Sequence, residues 1–152
     1  MSGGDTQGRV FYRNLRKVYP VAARGEGIYI YDTEGKAYID GSGGAAVASI
    51  GHGVKEIASA MAAQLDLLAF CHGSQFTSRA AVDLAEKLLA MSPSGMNRVY
   101  FLSGGSEAVE TAVKMARQYQ SDRGKPTKYK VISRWTSFHG NTLGALALGG
   151  HT

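Results

Sequence analysis

The stretch that decides the fold is residues 98–108, RVYFLSGGSEA. Residues 98–102 form a short run of β-branched and aromatic residues, which predicts a buried strand. The next four residues contain two glycines and precede a segment in which apolar residues recur every three or four positions. A strand that turns directly into a helix is typical of α/β proteins.

The turn at residues 103–106 is a candidate anion site. Free amides and the positive end of the helix dipole meet at a helix start, and two glycines let an oxygen-rich group approach the backbone. A phosphate fits this position, with Ser106 donating one more hydrogen bond. The alternative is a serine-capped helix after a glycine turn, with no ligand. The stretch matches neither the ATP nor the dinucleotide glycine pattern.

Outward from this turn, helical and strand patterns alternate. Helices are predicted over 54–68, 77–91, 106–121 and 141–148, with Thr77 or Ser78 capping the second. A second strand is predicted over 129–133. Nearer the start, two apolar runs flank Asp-Thr-Glu-Gly over residues 27–40, which predicts a hairpin with Gly35 at positive φ.

Residues 41–46, GSGGAA, carry almost no side-chain bulk. Such a segment cannot fill a core, so it is expected to border a cavity or another backbone, unless it is a plain flexible loop. Residues 137–141, SFHGN, follow the second predicted strand. Ligands of α/β sheets lie beyond the carboxyl ends of strands, so Phe138 is a candidate to stack on a planar ligand. The alternative is that Phe138 fills the core.

Composition narrows the function classes. The chain has 152 residues, 44% of them apolar, which is enough for one domain and argues against intrinsic disorder. The net charge of +5 comes from scattered cations, so we expect no nucleic-acid partner. Single Cys71 leaves no internal disulfide, the histidines lack metal-ligand spacing, and no apolar run is long enough for a membrane span. A cytoplasmic location is expected.

Several motifs occur together and in order: RGEGIYIYD at 24–32, DGSGGAAV at 40–47, GH at 51–52, SGGSEAVETAVKMAR at 103–117 and SFHGNT at 137–142. From about residue 11 onward, the chain resembles the N-terminal portion of class III pyridoxal-phosphate aminotransferases. The resemblance implies an α/β fold, namely the truncated start of a fold-type I transferase. Its parts would be a β-hairpin arm, helices and the first strands of the large-domain sheet.

The resemblance also implies a division into domains. Residues 1–10 would be a mobile tail, residues 11–50 the N-terminal arm and hairpin of the small domain, and residues 51–152 an incomplete large cofactor-binding domain. It further implies a homodimer with the active site at the interface, an amino donor and a keto-acid acceptor as substrates, and pyridoxal 5'-phosphate (PLP) as cofactor.

The resemblance assigns site residues as well. Those expected to bind the cofactor are Gly104, Gly105, Ser106, Phe138, His139 and Gly140. Those expected to border the substrate pocket are Gly43, Gly44, Ala45 and Ala46. The family's Schiff-base lysine and its pyridinium aspartate lie downstream of the aromatic-His-Gly motif, so no catalytic residue and no metal ligand is expected within this chain. The alternative function is a non-catalytic relative that binds a phosphate ligand or dimerises without turnover.

Overall fold

The computed structural model describes residues 9–150. Contacts divide the chain into two compact units, Met1–Phe76 and Thr77–Thr152. Most of the predicted tail lies outside the described residues. The three-part division at residues 10 and 50 stays a prediction, because a grouping by contacts does not test which residues would join a small or a large domain.

The first unit contains a three-stranded antiparallel sheet in the order β1-β2-β3. Its strands are β1 (Ala22–Glu26), β2 (Tyr29–Asp32) and β3 (Ala37–Ile39). The predicted hairpin between β2 and β3 is confirmed, with Tyr29 opposite Ile39 and Gly35 at φ 83°. Strand β1 was not predicted, since its sequence AARGE has neither the alternation nor the β-branched residues of a typical strand.

The hairpin turn is organised by the buried carboxylate of Asp32, which is 7% exposed. Its Oδ1 accepts hydrogen bonds from the amides of Glu34 and Lys36 at 3.0 and 2.9 Å, and its Oδ2 accepts one from the Tyr38 hydroxyl at 2.8 Å. Desolvation raises the pKa of Asp32, but these three donors together outweigh it and lower the pKa. The ionised carboxylate therefore stabilises the turn.

Two helical segments follow the sheet in the first unit. α1 (Gly43–Ala46) is a single turn in which all four residues have positive φ. α2 (Lys55–Leu67) confirms the first predicted helix to within a residue at each end. The positive φ of Ala45 and Ala46 is not expected from the sequence, because the left-handed region costs alanine roughly 1–2 kcal/mol per residue.

The second unit contains α3 (Arg79–Met91), α4 (Gly105–Asp122) and α5 (Leu143–Gly149). All three were predicted. Ser78 caps α3, since its Oγ accepts a hydrogen bond from the amide of Ala81 at 3.2 Å. Gly124 ends the chain's longest helix with φ 71°, a conformation that glycine adopts without strain.

Parallel strands were predicted over 98–102 and 129–133, and this prediction is wrong. Neither forms a β-ladder in the described chain, with the other or with any further segment. A strand exists only when its amides and carbonyls find a partner, and an apolar run in the sequence does not supply one. Their side chains are open to solvent, with Ile132 99% exposed and Tyr100 71% exposed.

The apolar side chains of the described residues are mostly uncovered. Ala145, at 0% exposure, is the one buried apolar residue between residues 9 and 150. It lies in the first turn of α5, the helix that follows the aromatic-His-Gly motif and contacts α4. Across the same residues, no helix has both the length and the apolar content to span a membrane.

Candidate functional site

The glycine turn before α4 and the aromatic-His-Gly motif lie against each other. A Cβ added to Gly140 would stand 2.5 Å from Ser106 Oγ and 2.8 Å from Ser106 Cα. Real Cβ atoms do not come this close to other heavy atoms, so only glycine fits here. Gly140 is buried and has φ 131°, which glycine tolerates far better than other residues. The two motifs are thus in direct contact in the structure.

Hydrogen bonds join the same two motifs. The amide of Asn141 donates to Ser106 Oγ at 3.1 Å, and Ser106 Oγ in turn lies 3.4 Å from Asn141 Oδ1. The second distance is long for a bond between two oxygens, so it is weak. The serine oxygen is therefore held in place by Asn141, while its proton can turn towards a stronger acceptor.

The start of α4 presents its backbone amides outward. Within residues 9–150, the amides of Gly105 and Ser106 have no hydrogen-bond acceptor; the first amide that bonds back is that of Ala108, to the Gly104 carbonyl at 3.0 Å. Gly104 differs from its neighbours, because a Cβ added there would stand 2.6 Å from Glu107 Oε2. The free amides of Gly105 and Ser106 are available to an acceptor, and anion binding at Gly104, Gly105 and Ser106 stays a prediction.

His139 is held by its neighbour Ser137. The Ser137 hydroxyl donates to the Arg134 carbonyl at 2.7 Å and lies 3.0 Å from His139 Nε2. Since the hydroxyl has one proton and gives it to Arg134, the imidazole must donate through Nε2–H, which leaves Nδ1 of the neutral ring as an acceptor. Phe138 is 79% exposed, so it does not fill a core within the described chain.

A second contact between α4 and this loop lies one turn further along the helix. Glu110 Oε1 accepts a hydrogen bond from the amide of Gly144 at 3.0 Å. Thr142, Gly144 and Ala145 lower the pKa of Glu110, with Thr142 contributing most. Thr142 Oγ1 is buried and has no hydrogen-bond partner among the described residues, so the bond from the Gly144 amide is the firmer part of this arrangement.

In the first unit, the backbone at Gly27 lies against Gly51 and His52. Gly27 and His52 exchange backbone hydrogen bonds of 3.0 and 2.8 Å, and a Cβ on Gly51 would stand 2.8 Å from the Gly27 carbonyl oxygen. His52 Nε2 donates to Asp40 Oδ2 at 3.0 Å, and both side chains are largely buried. This bond from His52 lowers the pKa of Asp40.

Asp40 also fixes the turn that was expected to border a substrate pocket. Its Oδ1 accepts from the Gly44 amide at 3.3 Å, and its backbone carbonyl accepts from the Gly43 amide at 3.2 Å. The turn lies beside a cavity of about 270 Å³ whose walls include Ala46 and His52. Ala45 and Ala46 have φ values of 64° and 67°. This conformation is strained for alanine, so the surrounding structure must hold the turn in place.

Sequence reasoning missed three side chains that organise these motifs: Asn141, Glu110 and Asp40. Each lies inside a motif that the sequence singled out, but each also makes a hydrogen bond to a residue 12 or more positions away, which the sequence does not reveal. For Glu110, its spacing from Ser106 along the chain was a signal that could have identified it. Glu110 follows Ser106 by four residues, which places both on one face of a helix.

The sequence matches known proteins over nearly its whole length. The family model described as aminotransferase class-III matches residues 10–152. The uncharacterized aminotransferase YodT of Bacillus subtilis is 46% identical over 136 residues, which are 90% of this chain and 31% of that protein. The putrescine–pyruvate aminotransferase of Pseudomonas aeruginosa is 36% identical, over 86% of this chain and 29% of that protein.

Solved structures agree with the sequence relatives. The omega transaminase from Pseudomonas jessenii, in complex with PMP, superposes with a TM-score of 0.84 at 40% identity, over 88% of this chain and 30% of that one. A transaminase from the marine bacterium Virgibacillus gives a TM-score of 0.88 at 36% identity, over 95% of this chain and 34% of that one. The chain therefore spans about three-tenths of the relatives that it matches. It has the fold of the N-terminal portion of a fold-type I enzyme, and it belongs to the class III aminotransferase family.

Proposed function

We propose that the protein containing this chain transfers an amino group from an amine or amino acid to a keto acid, with PLP as cofactor. The observation that carries the proposal is the closure of Gly140 and Asn141 onto Ser106. This contact places the start of α4, where two amides are free, beside the loop that carries the exposed ring of Phe138. Membership of the class III aminotransferase family supports the same reaction.

The residues of the second unit fit PLP. Its phosphate would accept hydrogen bonds from the amides of Gly105 and Ser106 and from the Ser106 hydroxyl. The ring of Phe138 is free to stack on the pyridine, with His139 beside it and Gly140 leaving room for the approach to Ser106. When bound, PLP supplies an electron sink for the bond changes at the substrate's amino carbon.

The chain's own contribution is to bind and orient. Two amides and one hydroxyl at a helix start hold the phosphate through charge-assisted hydrogen bonds. The Ser137 hydroxyl accepts a hydrogen bond from His139 Nε2–H, and this bond holds the imidazole in one orientation beside Phe138. The Schiff-base lysine and the acid that pairs with the pyridine nitrogen are expected from residues beyond this chain.

The left-handed turn of Gly43, Gly44, Ala45 and Ala46 is proposed to border the substrate pocket. Its side chains are small, so the pocket has room for a bulky amine unless another segment fills it. The names of relatives suggest a first panel of amino donors, namely putrescine and β-alanine, with pyruvate as the acceptor. We also propose a homodimer with the active site at the subunit interface. The cytoplasmic location stays a prediction.

The test is made on the intact protein. Transamination of the panel should require added PLP, and Ser106→Ala should weaken PLP binding by about 1.5–3 kcal/mol because a charge-assisted hydrogen bond is lost. Ser121→Ala, an exposed serine at the opposite end of α4, is the matched control. PLP affinity that is unchanged in Ser106→Ala would remove Ser106 from the phosphate site, and no transamination of any donor would refute the proposed reaction.

A further inference from the structure

Helix α4 holds the loop at residues 139–145 at two points one helical turn apart. Ser106 contacts Gly140 and Asn141, and Glu110 contacts Gly144. Residues four apart on a helix share one face, so the two contacts form a continuous strip along α4. Phe138 and His139 lie immediately before this strip on the loop, and their placement follows from how the loop is held.

The contact at Glu110 is close and specific. Glu110 Oε1 accepts from the Gly144 amide at 3.0 Å. The next residue, Ala145, is fully buried in the region where α5 contacts α4, so the carboxylate bonds to the backbone beside a packed point. A Cβ on Gly144 would stand 2.8 Å from Glu110 Oε1 and 2.9 Å from Cδ, so the absence of a side chain there makes room for Glu110.

The charge of Glu110 suits this position. The carboxylate accepts from the Gly144 amide in the first turn of α5, where amides lack partners within their own helix. Thr142 and the Gly144 amide lower the pKa of Glu110 most, and the positive charge of Lys114, one turn further along α4, contributes less. An ionised acceptor holds amides more tightly than a neutral one.

We propose that Glu110 is a positioning residue for the cofactor, acting through the loop: it fixes Gly144 at the start of α5, and thereby sets the position of Phe138 and His139 relative to the proposed phosphate-binding turn at Ser106. This inference rests on the proposed function, since it concerns the same site. Glu110 touches neither the phosphate contacts nor Phe138 in this arrangement, so it acts at a distance of one helical turn.

The experiment measures PLP affinity and amide hydrogen exchange in the intact protein. Glu110→Ala should raise the PLP dissociation constant roughly tenfold, as expected for the loss of one charge-assisted hydrogen bond. In the PLP-free protein, the amides of Gly144 and Ala145 should exchange faster. Glu110→Gln keeps an acceptor oxygen without the charge and should give an intermediate PLP affinity.

A double-mutant cycle with Gly144 tests the route through the loop. Gly144→Ala places a Cβ against the Glu110 carboxylate, so alone it should weaken PLP binding. In Glu110→Ala that obstacle is gone, and the second substitution should add little. The control is Glu86→Ala, because Glu86 is an exposed helical carboxylate with no hydrogen bond or ion pair to other residues in the range 9–150.

The outcomes are distinct. Faster exchange at 144 and 145 with unchanged PLP affinity would make Glu110 a structural residue only and overturn the proposal. Additive losses in the double mutant would also overturn it. If Glu110→Ala does not fold, Glu110→Gln and Gly144→Ala decide by the same two readouts. If the wild-type protein binds no PLP at all, the proposed function fails, whereas the exchange measurement still reports on the Glu110 contact.

Discussion

At the scale of single residues, the second unit depends on the absence of side chains at Gly140 and Gly144. Each glycine meets a side chain of α4: Gly140 meets Ser106, and Gly144 meets Glu110. Both pairs are about 35 residues apart in sequence. Close backbone approach is the common reason, and only at Gly140 is it joined by a positive φ.

Gly140→Ala should impair both stability and cofactor binding. The new Cβ would overlap Ser106, and φ 131° is unfavourable for alanine, so we expect unfolding to become easier by about 1–3 kcal/mol and PLP affinity to fall. Denaturant unfolding and PLP titration measure the two effects. Gly73→Ala is the matched control, since a Cβ there meets nothing within 4 Å. A Gly140→Ala protein with wild-type stability and affinity would contradict the contact with Ser106.

At the scale of elements, the helices are set by local chemistry and the hairpin by one carboxylate. Helix α3 begins after Ser78, whose side chain accepts a hydrogen bond from an otherwise free amide of the first turn. The hairpin turn between β2 and β3 closes around Asp32, whose three donors lie within six residues of it. Local devices of this kind work without the rest of the protein, which is why the sequence predicted both elements.

Removing the cap should destabilise α3. Ser78→Ala leaves the Ala81 amide without its acceptor and should cost about 1 kcal/mol of unfolding free energy. Thr77→Ala serves as the control, because Ser78 and not Thr77 provides the cap. Denaturant midpoints of the two variants give the comparison, and equal losses at both positions would refute the assignment of the cap to Ser78.

The hairpin should weaken at low pH. Because the pKa of Asp32 is lowered on folding, its stabilising effect is fully present above the ordinary value of 3.8. This effect is lost as the pH falls through the lowered folded pKa. Exchange of the Glu34 and Lys36 amides should therefore speed up, after correction for intrinsic rates, as the pH falls below 3.8 towards the lowered folded pKa. Asp32→Asn should remove this pH dependence, and its persistence in that variant would assign it to another carboxyl.

At the scale of the whole molecule, this chain covers about three-tenths of the length of its relatives. Its apolar faces are open among the described residues, and the two segments predicted as strands, 98–102 and 129–133, are unpaired. The residues proposed to contact the cofactor would bind and orient it, and none of the chain's lysines matches the context of the family's imine lysine.

We therefore expect the PLP adduct of the intact enzyme to form outside residues 1–152. Borohydride reduction followed by peptide mass spectrometry locates the modified lysine. Lys114 is the instructive case, since it lies two turns along α4 from Ser106; Lys114→Arg should leave the adduct and the turnover in place. A polypeptide of these 152 residues alone should show no transamination. A stoichiometric adduct on one of its lysines, with turnover, would overturn this expectation.

The sequence by itself determined the helices, the β2–β3 hairpin and the motifs of the candidate anion-binding turn, because capping, periodicity and turn residues act over a few positions. Tertiary structure alone decided the rest. It left 98–102 and 129–133 unpaired, since a ladder needs a partner that an apolar run does not specify. It joined Asp40 to His52, Ser106 to Gly140 and Glu110 to Gly144. These contacts arise from chain segments distant in sequence, whose approach depends on packing rather than on local preference.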